Sequence, residues 1–192
     1  MKEIKNNEIY SIQLYDKQDY FDDYDDISLK IAKILSSHNT QATDYNDIKE
    51  LKNHLEELTD EMAYCDFLDV RIYILTHNLE EKPLSFALLS HDEQRPDWHI
   101  ELICTNAEYM GEGLAYYLLK SLAEDISKTE FKQLSSIVNK NNEASIGLHR
   151  SFEKFCKKRC YEEWLDNKRI VFEYDLTNLA ENVNNFENNF EK

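Results

Sequence analysis

The sequence predicts an α/β domain of the α+β kind, in which strands and amphipathic helices share one core. Three observations point there. Residues 8–14, 70–76, 84–90, 133–138 and 169–176 are short runs of strand length, either alternating or continuously apolar. Leu114, Leu118, Leu119, Leu122 and Ile126 recur at spacings of three and four, the apolar stripe of a helix. Residues 98–126 join the two patterns. Their apolar strand (Ile100, Leu102, Ile103, Cys104) passes through Gly111-Glu112-Gly113 into that helix.

Taken in order, residues 8–14 (EIYSIQL) alternate and form a first strand. The acidic, tyrosine-laced residues 16–26 read as loop or irregular turn. Ile27, Leu29, Ile31, Ala32 and Leu35 give a short helix with Asp26 as its cap. Residues 47–62 carry Ile48, Leu51, Leu55, Leu58 and Met62, a second helical stripe. Its other face holds Glu50, Glu56, Glu57, Asp60 and Glu61, either an ordinary solvated surface or a wall that attracts an amine. Residues 70–76 and 84–90, joined by the polar HNLEEKP, form an antiparallel pair. A turn at 91–97 leads into the strand of residues 98–126.

After the central helix come a buried strand at 133–138 and a helix at 142–155 with Asn142 as cap. The final strand is 169–176. No repeat and no glycine- or proline-rich linker divides residues 1–176, so they read as a single domain. Residues 177–192 are an asparagine-rich tail, helical or disordered, in which Leu179, Val183, Phe186 and Phe190 keep helical spacing.

A formal net charge of −16 disfavours nucleic acid and anionic membranes as partners and favours cationic ones. No apolar run has the length of a membrane span, and MKEIKNNEIY lacks the core of a signal peptide. Cys65, Cys104, Cys156 and Cys160 make no disulfide framework, which points to a reducing cytoplasm. No cysteine or histidine spacing suggests a metal.

A strand, a glycine turn and a helix start have a physical consequence. The first helical turn carries unpaired N–H groups and the positive end of the dipole. Glycines there let an anion reach the backbone, making a cradle for phosphate. The alternative is a tight turn in which Gly111 and Gly113 merely supply unusual dihedrals.

With its elements in this order, the chain resembles the GCN5-related N-acetyltransferase (GNAT) family. Residues 103–115 and 138–155 carry the resemblance. Where the family has Gln/Arg-x-x-Gly-x-Gly/Ala, this sequence has Glu108-Tyr109-Met110-Gly111-Glu112-Gly113. Both glycine positions match and the first position does not. Downstream, the family's Asn, a small residue three further on, and Leu-Tyr three beyond that stand here as Asn142, Ser145 and Leu148-His149. The likeness spans about residues 70–176, and the first seventy match only in outline.

The resemblance implies a mixed, mostly antiparallel central sheet of six to seven strands flanked by helices, with acetyl-CoA as co-substrate. It implies that the backbone of Ile103, Cys104 and Thr105 pairs with the pantetheine arm. The loop of Glu108, Tyr109, Met110, Gly111, Glu112, Gly113 and Leu114 would hold the pyrophosphate, with Asn142 and Ser145 beside the cofactor. His149 stands in the slot of a tyrosine general acid, where an imidazolium could donate a proton; a merely packed histidine is the alternative. Glu101 is the candidate base, projecting to the face of His99 by strand alternation, with Asp97 the other candidate. A plain rim carboxylate is the alternative for Glu101.

Glu108 and Glu112 depart from the family by adding anions beside a polyanionic ligand. The one basic stretch, Lys140, Arg150, Lys154, Lys157, Lys158 and Arg159, either reaches the phosphates or is a solvated helix end. The expected function is acetyl transfer from acetyl-CoA to a primary amine, cationic, on a small molecule or a protein. Direct attack in a ternary complex is the expected route. The rival expectation is a catalytically degenerate GNAT-fold domain that binds CoA esters or a protein partner. A homodimer is an open option.

Overall fold

The computed structural model describes residues 1–37, 68–92, 94–156, 161–164 and 168–177, with positions 53, 57 and 179. The helix expected over 47–62 and the tail over 177–192 lie almost entirely outside the described residues. The chain runs through β1 (Lys2–Asn6), β2 (Tyr10–Asp16), α1 (Lys17–Asp22) and α2 (Tyr24–Leu35). It continues with β3 (Leu68–His77), β4 (Lys82–Asp92) and β5 (Trp98–Thr105). A short 3-10 turn (Ala107–Tyr109) precedes α3 (Leu114–Ile126), β6 (Gln133–Asn139), α4 (Glu143–Cys156), β7 (Tyr161–Trp164) and β8 (Arg169–Asp175).

The strands form one sheet in the order β1-β2-β3-β4-β5-β6-β8-β7. Every neighbouring pair is antiparallel except β5 and β6, which run parallel. The mixed, mostly antiparallel sheet is thus as expected, with eight strands among the described residues where six to seven were expected. The two strands that periodicity did not show are β1 and β7. KEIKN has one apolar residue in five, and YEEW is too short to display a period.

Both faces of the sheet are buried, each under its own helices. On one side Leu114, Leu118, Leu119 and Leu122 of α3 and Phe152 of α4 pack on Ile12, Leu75, Leu89, Trp98, Ile100 and Phe172. On the other, Ile27, Ile31, Ile34 and Leu35 of α2 pack on Tyr15, Ile72, Ile74, Phe86 and Leu88. Strands covered on both faces read as continuous apolar runs, which is why β3 and β4 are so hydrophobic.

Two local expectations fail. Residues 16–26 are not loop but carry α1 and the start of α2. Asp16 accepts from the Asp19 amide while the Asp19 side chain accepts from the Asp16 amide, a capping box that starts α1 without an apolar stripe. Asp26 accordingly lies in the first turn of α2, and Asp23 takes the cap position.

Candidate active site

The site begins with a break in strand pairing. β5 and β6 are in register only at Trp98–Leu134, His99–Ser135 and Ile100–Ser136. Beyond these pairs β5 continues to Thr105 and β6 to Asn139 without pairing each other. The parted strands open a cavity of about 680 Å³. Its walls come from β5, β6, the start of α3 and one side of α4.

A bulge shapes the β5 wall. Leu88 pairs with Leu102 and Leu89 with Ile100, so Glu101 is the extra residue. The faces exchange across it. Ile100 belongs to the α3 side, whereas Leu102 and Cys104 pack on the α2 side. Glu101 lies near His99, on the side of Ser90. Ser90 Oγ donates to Glu101 Oε1 at 2.5 Å, and Ser90 sits opposite His99.

A polar chain continues from there. Ser135 Oγ donates to Asp97 Oδ2, so the proton shared between Ser135 and His99 at 2.8 Å comes from His99 Nδ1. Burial lowers the His99 pKa, and the nearby Glu101 and Asp97 charges oppose that shift. Asp97 is thus held by Ser135 at the closed end of the β5–β6 pairing.

The mouth of the cavity is the start of α3. Gly111 and Gly113 have φ of 86° and 81°, left-handed values that favour glycine. Gly113 caps α3, no side chain caps that end, and its first turn holds no acidic residue. The first backbone bond of the helix runs from Tyr117 N to Gly113 O, so the amides of Leu114 to Tyr116 face forward. No heavy atom lies within 4 Å of a Cβ built on either glycine, which leaves open space at the backbone. This geometry fits an anion of the phosphate kind.

The loop before the mouth is pinned from three sides. Asn106 N donates to Leu84 O, Asn106 Oδ1 accepts from Glu108 N, and Ala107 N donates to Ser37 Oγ at the end of α2. Lys82 Nζ donates to Glu108 Oε2 at 2.6 Å and to Tyr109 Oη at 3.2 Å, with its charge over the Tyr109 ring. The hydrogen bond to Glu108 raises the Lys82 pKa. Glu108 and Glu112 are exposed and do not line the cavity. The anions that broke the family pattern are thus turned out, one of them paired.

The remaining expected residues converge on the cavity. Ile103, Cys104, Thr105, Tyr109, Met110, Gly111, Gly113, Leu114, Asn142, Ser145, His149 and Glu101 all line it. Asn142 Oδ1 accepts from Ser145 N at 3.0 Å and caps α4. Burial pushes the Cys104 thiol up to about 12, so it is protonated near neutrality and no thiolate nucleophile stands there. Of the basic stretch, Lys157, Lys158 and Arg159 lie outside the described residues.

His149 is fully buried, not at the edge of a stripe. Its ring stacks on Phe172 with centroids 4.9 Å apart, and Nδ1 lies 2.7 Å from Tyr174 Oη. Burial lowers its pKa to about 4, so the ring is neutral near pH 7. The imidazolium expected from the sequence is thereby corrected to neutral imidazole. Nε2 is buried with no protein partner.

Three parts of the site escaped sequence reasoning: Lys82, Tyr174 and the Ser135–His99 contact. Each depends on register between distant strands, and no local pattern announces it. Among the described residues no group of three His, Cys, Asp or Glu side chains could hold a metal, and no helix is long and apolar enough to cross a membrane.

A strand pair that parts over a glycine-capped helix start is one geometry; comparison with known proteins gives it a family. A family model described as Acetyltransferase (GNAT) family matches residues 36–153. That is more than half of the 192 residues, and the chain belongs to the GNAT family. No curated protein sequence matches the chain. Among solved structures it is similar to the ribosomal-protein-S18-alanine N-acetyltransferase from Escherichia coli, with TM-score 0.57 and 16% identity over 88% of this chain and 94% of that one. A chimera of the spermidine N-acetyltransferase from Vibrio cholerae gives TM-score 0.60 and 12% identity over 88% and 97%. A ribosomal L7/L12 alpha-N-protein acetyltransferase in complex with coenzyme A gives 0.55 and 12% over 91% and 98%. At such identities the likeness speaks for the fold.

Proposed function

We propose that this protein is an N-acetyltransferase that moves an acetyl group from acetyl-CoA to a primary amine, with the amine attacking directly in a ternary complex. The observation that carries the reading is the cavity between the parted strands, with a glycine-capped helix start that no side chain closes at its mouth. The solved relatives named above are, by name, acetyltransferases of ribosomal proteins and of spermidine, and one holds coenzyme A. Both acceptor types are amines.

Acetyl-CoA would supply an activated acyl group whose leaving group is a thiolate. The amides around Gly111 and Gly113 would hold the pyrophosphate, with Tyr109, Met110 and Leu114 framing it. Ile103, Cys104 and Thr105 would align the pantetheine arm along β5, and Asn142 and Ser145 would flank it from α4. Glu101, on its bulge, would take a proton from the ammonium form of the acceptor, since only a neutral amine attacks. Ser90 holds that carboxylate in place. His149 would act at the leaving sulfur. The protonated Cys104 supports direct attack over an acyl-cysteine route.

A net charge of −16 supports a cationic acceptor. The rival reading, a degenerate domain, rested on Glu108 and Glu112; their outward placement and the Lys82 pair weaken that ground. The reading is tested by thermal shift with acetyl-CoA, CoA and dephospho-CoA. A ligand at a hundred times its Kd adds about 2.7 kcal/mol. A shift that disappears in a Gly111→Val/Gly113→Val variant supports the cofactor site and justifies an acceptor screen. No shift at millimolar ligand sinks the enzyme.

A further inference from the structure

Where β5 and β6 part, two unlike side chains follow the last pair. That pair is Ile100–Ser136, so Glu101 and Ile137 are the first residues beyond it on either strand. Both line the cavity. Glu101 is the only carboxylate among the described residues that do so. Ile137 sits mid-strand, yet it is 41% exposed.

Alternation shows which way Ile137 faces. Leu134 and Val138 of β6, with Ile170 and Phe172 of β8, belong to the core under α3 and α4. Ser135, Ile137 and the Val171 that pairs with Ile137 therefore point to the α2 side. Ser135 meets His99 and Asp97 there. Ser90, which holds Glu101, follows Leu89 of the α3-side core and so faces the α2 side as well. The packing under α2 draws on β2, β3, β4 and β5, but on no residue of β6 or β8. Beyond β5 this side of the sheet is a floor of Ile137 and the half-buried Val171, with exposed Glu173 at its border beside Ser135.

An amine at the fork thus meets one carboxylate and one apolar floor. Glu101 can answer a single ammonium, and no second described carboxylate lines the cavity for another. An ammonium set over Ile137 would shed water without gaining a counter-charge. A carbon chain in the same place would cover exposed apolar surface.

We propose that Ile137, flanked by Val171, is the specificity-determining residue of the acceptor site, and that the acceptor is a small primary monoamine with an apolar skeleton. This deepens the acetyltransferase reading above and rests on it. The net charge of −16 draws ammonium ions of every kind at long range, and the floor sorts them at contact. Two side chains make a floor for a short alkyl chain or a ring rather than for a protein surface.

The test compares isosteres. Hexylamine and cadaverine have the same length and differ at the far end, a methyl group against a second ammonium. At about 0.15 M salt, where long-range attraction is screened, kcat/KM for hexylamine should exceed that for cadaverine about 10-fold or more. From propylamine to hexylamine it should rise about 3-fold per methylene, a little under the value for full burial. Ile137→Asp should reverse the order of hexylamine and cadaverine, and Ile137→Asn should flatten the alkyl series. Each result is a ratio within one enzyme preparation, so partial loss of folding or of cofactor affinity cancels. Cadaverine equal to or better than hexylamine in the wild type, or an unchanged ratio in Ile137→Asp, overturns the proposal and leaves the acetyltransferase standing. Leucyl-glycinamide acetylated faster than hexylamine overturns it as well, in favour of a peptide N-terminus.

A second arm needs no turnover. In protein carrying 13C-labelled isoleucine methyl groups, the Ile137 signal is assigned by its loss in Ile137→Val. With CoA present, hexylamine should move that signal and cadaverine should not. A signal indifferent to hexylamine overturns the proposal. No turnover of any amine, together with no thermal shift from acetyl-CoA, overturns the acetyltransferase reading and the acceptor with it.

Discussion

His149 carries a second consequence in the free protein. Its folded pKa of about 4 lies below the ordinary 6.5, so between those values the unfolded chain binds a proton that the native state refuses. The contribution is fully present above pH 6.5 and is lost as pH falls toward 4. Going from pH 7 to 5 should cost about 2 kcal/mol from this residue, and His99, lowered in the same direction, adds to it. Denaturant melts of wild type and His149→Asn at the two pH values check this. The variant's stability should depend less on pH by that amount. None of this was legible in the sequence. LHR at 148–150 reads as a histidine beside a helix stripe, and the aromatic shell of Phe172 and Tyr174 arrives only when β8 joins β6.

At the scale of elements, the glycine turn was legible because its chemistry is local. Two glycines, one residue apart, between a strand and a helical stripe require no tertiary knowledge, and both take positive φ. Gly113→Val should lose about 1–2 kcal/mol from backbone strain alone, since nothing crowds the new Cβ. The acetyl-CoA thermal shift should shrink as well, since the branched side chain would fill the space where the phosphate approaches. Lys82 was illegible for the opposite reason: it begins β4, 26 residues before Glu108, and only the β4–β5 pairing brings the two together. Lys82→Ala should weaken acetyl-CoA binding by unmasking Glu108, and adding Glu108→Gln should restore it. Titrations of both variants by calorimetry decide the point, and recovery of the single variant at high salt would fit the same cause. Helix α1 was missed because its signal is a pair of aspartates rather than a stripe.

For the molecule as a whole, charge and pairing set the terms. A net charge of −16 should draw cationic acceptors at long range, so kcat/KM for a diamine should fall as ionic strength rises from about 0.02 to 0.3 M. A neutral-bodied amine should show a much weaker dependence under the same conditions; equal slopes would place the effect elsewhere. The order of the main elements was readable from periodicity and the mixed sheet only from the family resemblance, whereas the parting of β5 from β6 was not, since both strands look continuous in sequence. That parting leaves the two halves of the sheet joined by three residue pairs. Each half then turns a strand border into the gap, and such borders invite extra strands from other chains. A pantetheine arm lying along β5 would act as a surrogate strand, so substrate would seal the sheet as well as feed the reaction. Protein stored without it should associate through these borders sooner than protein stored with it.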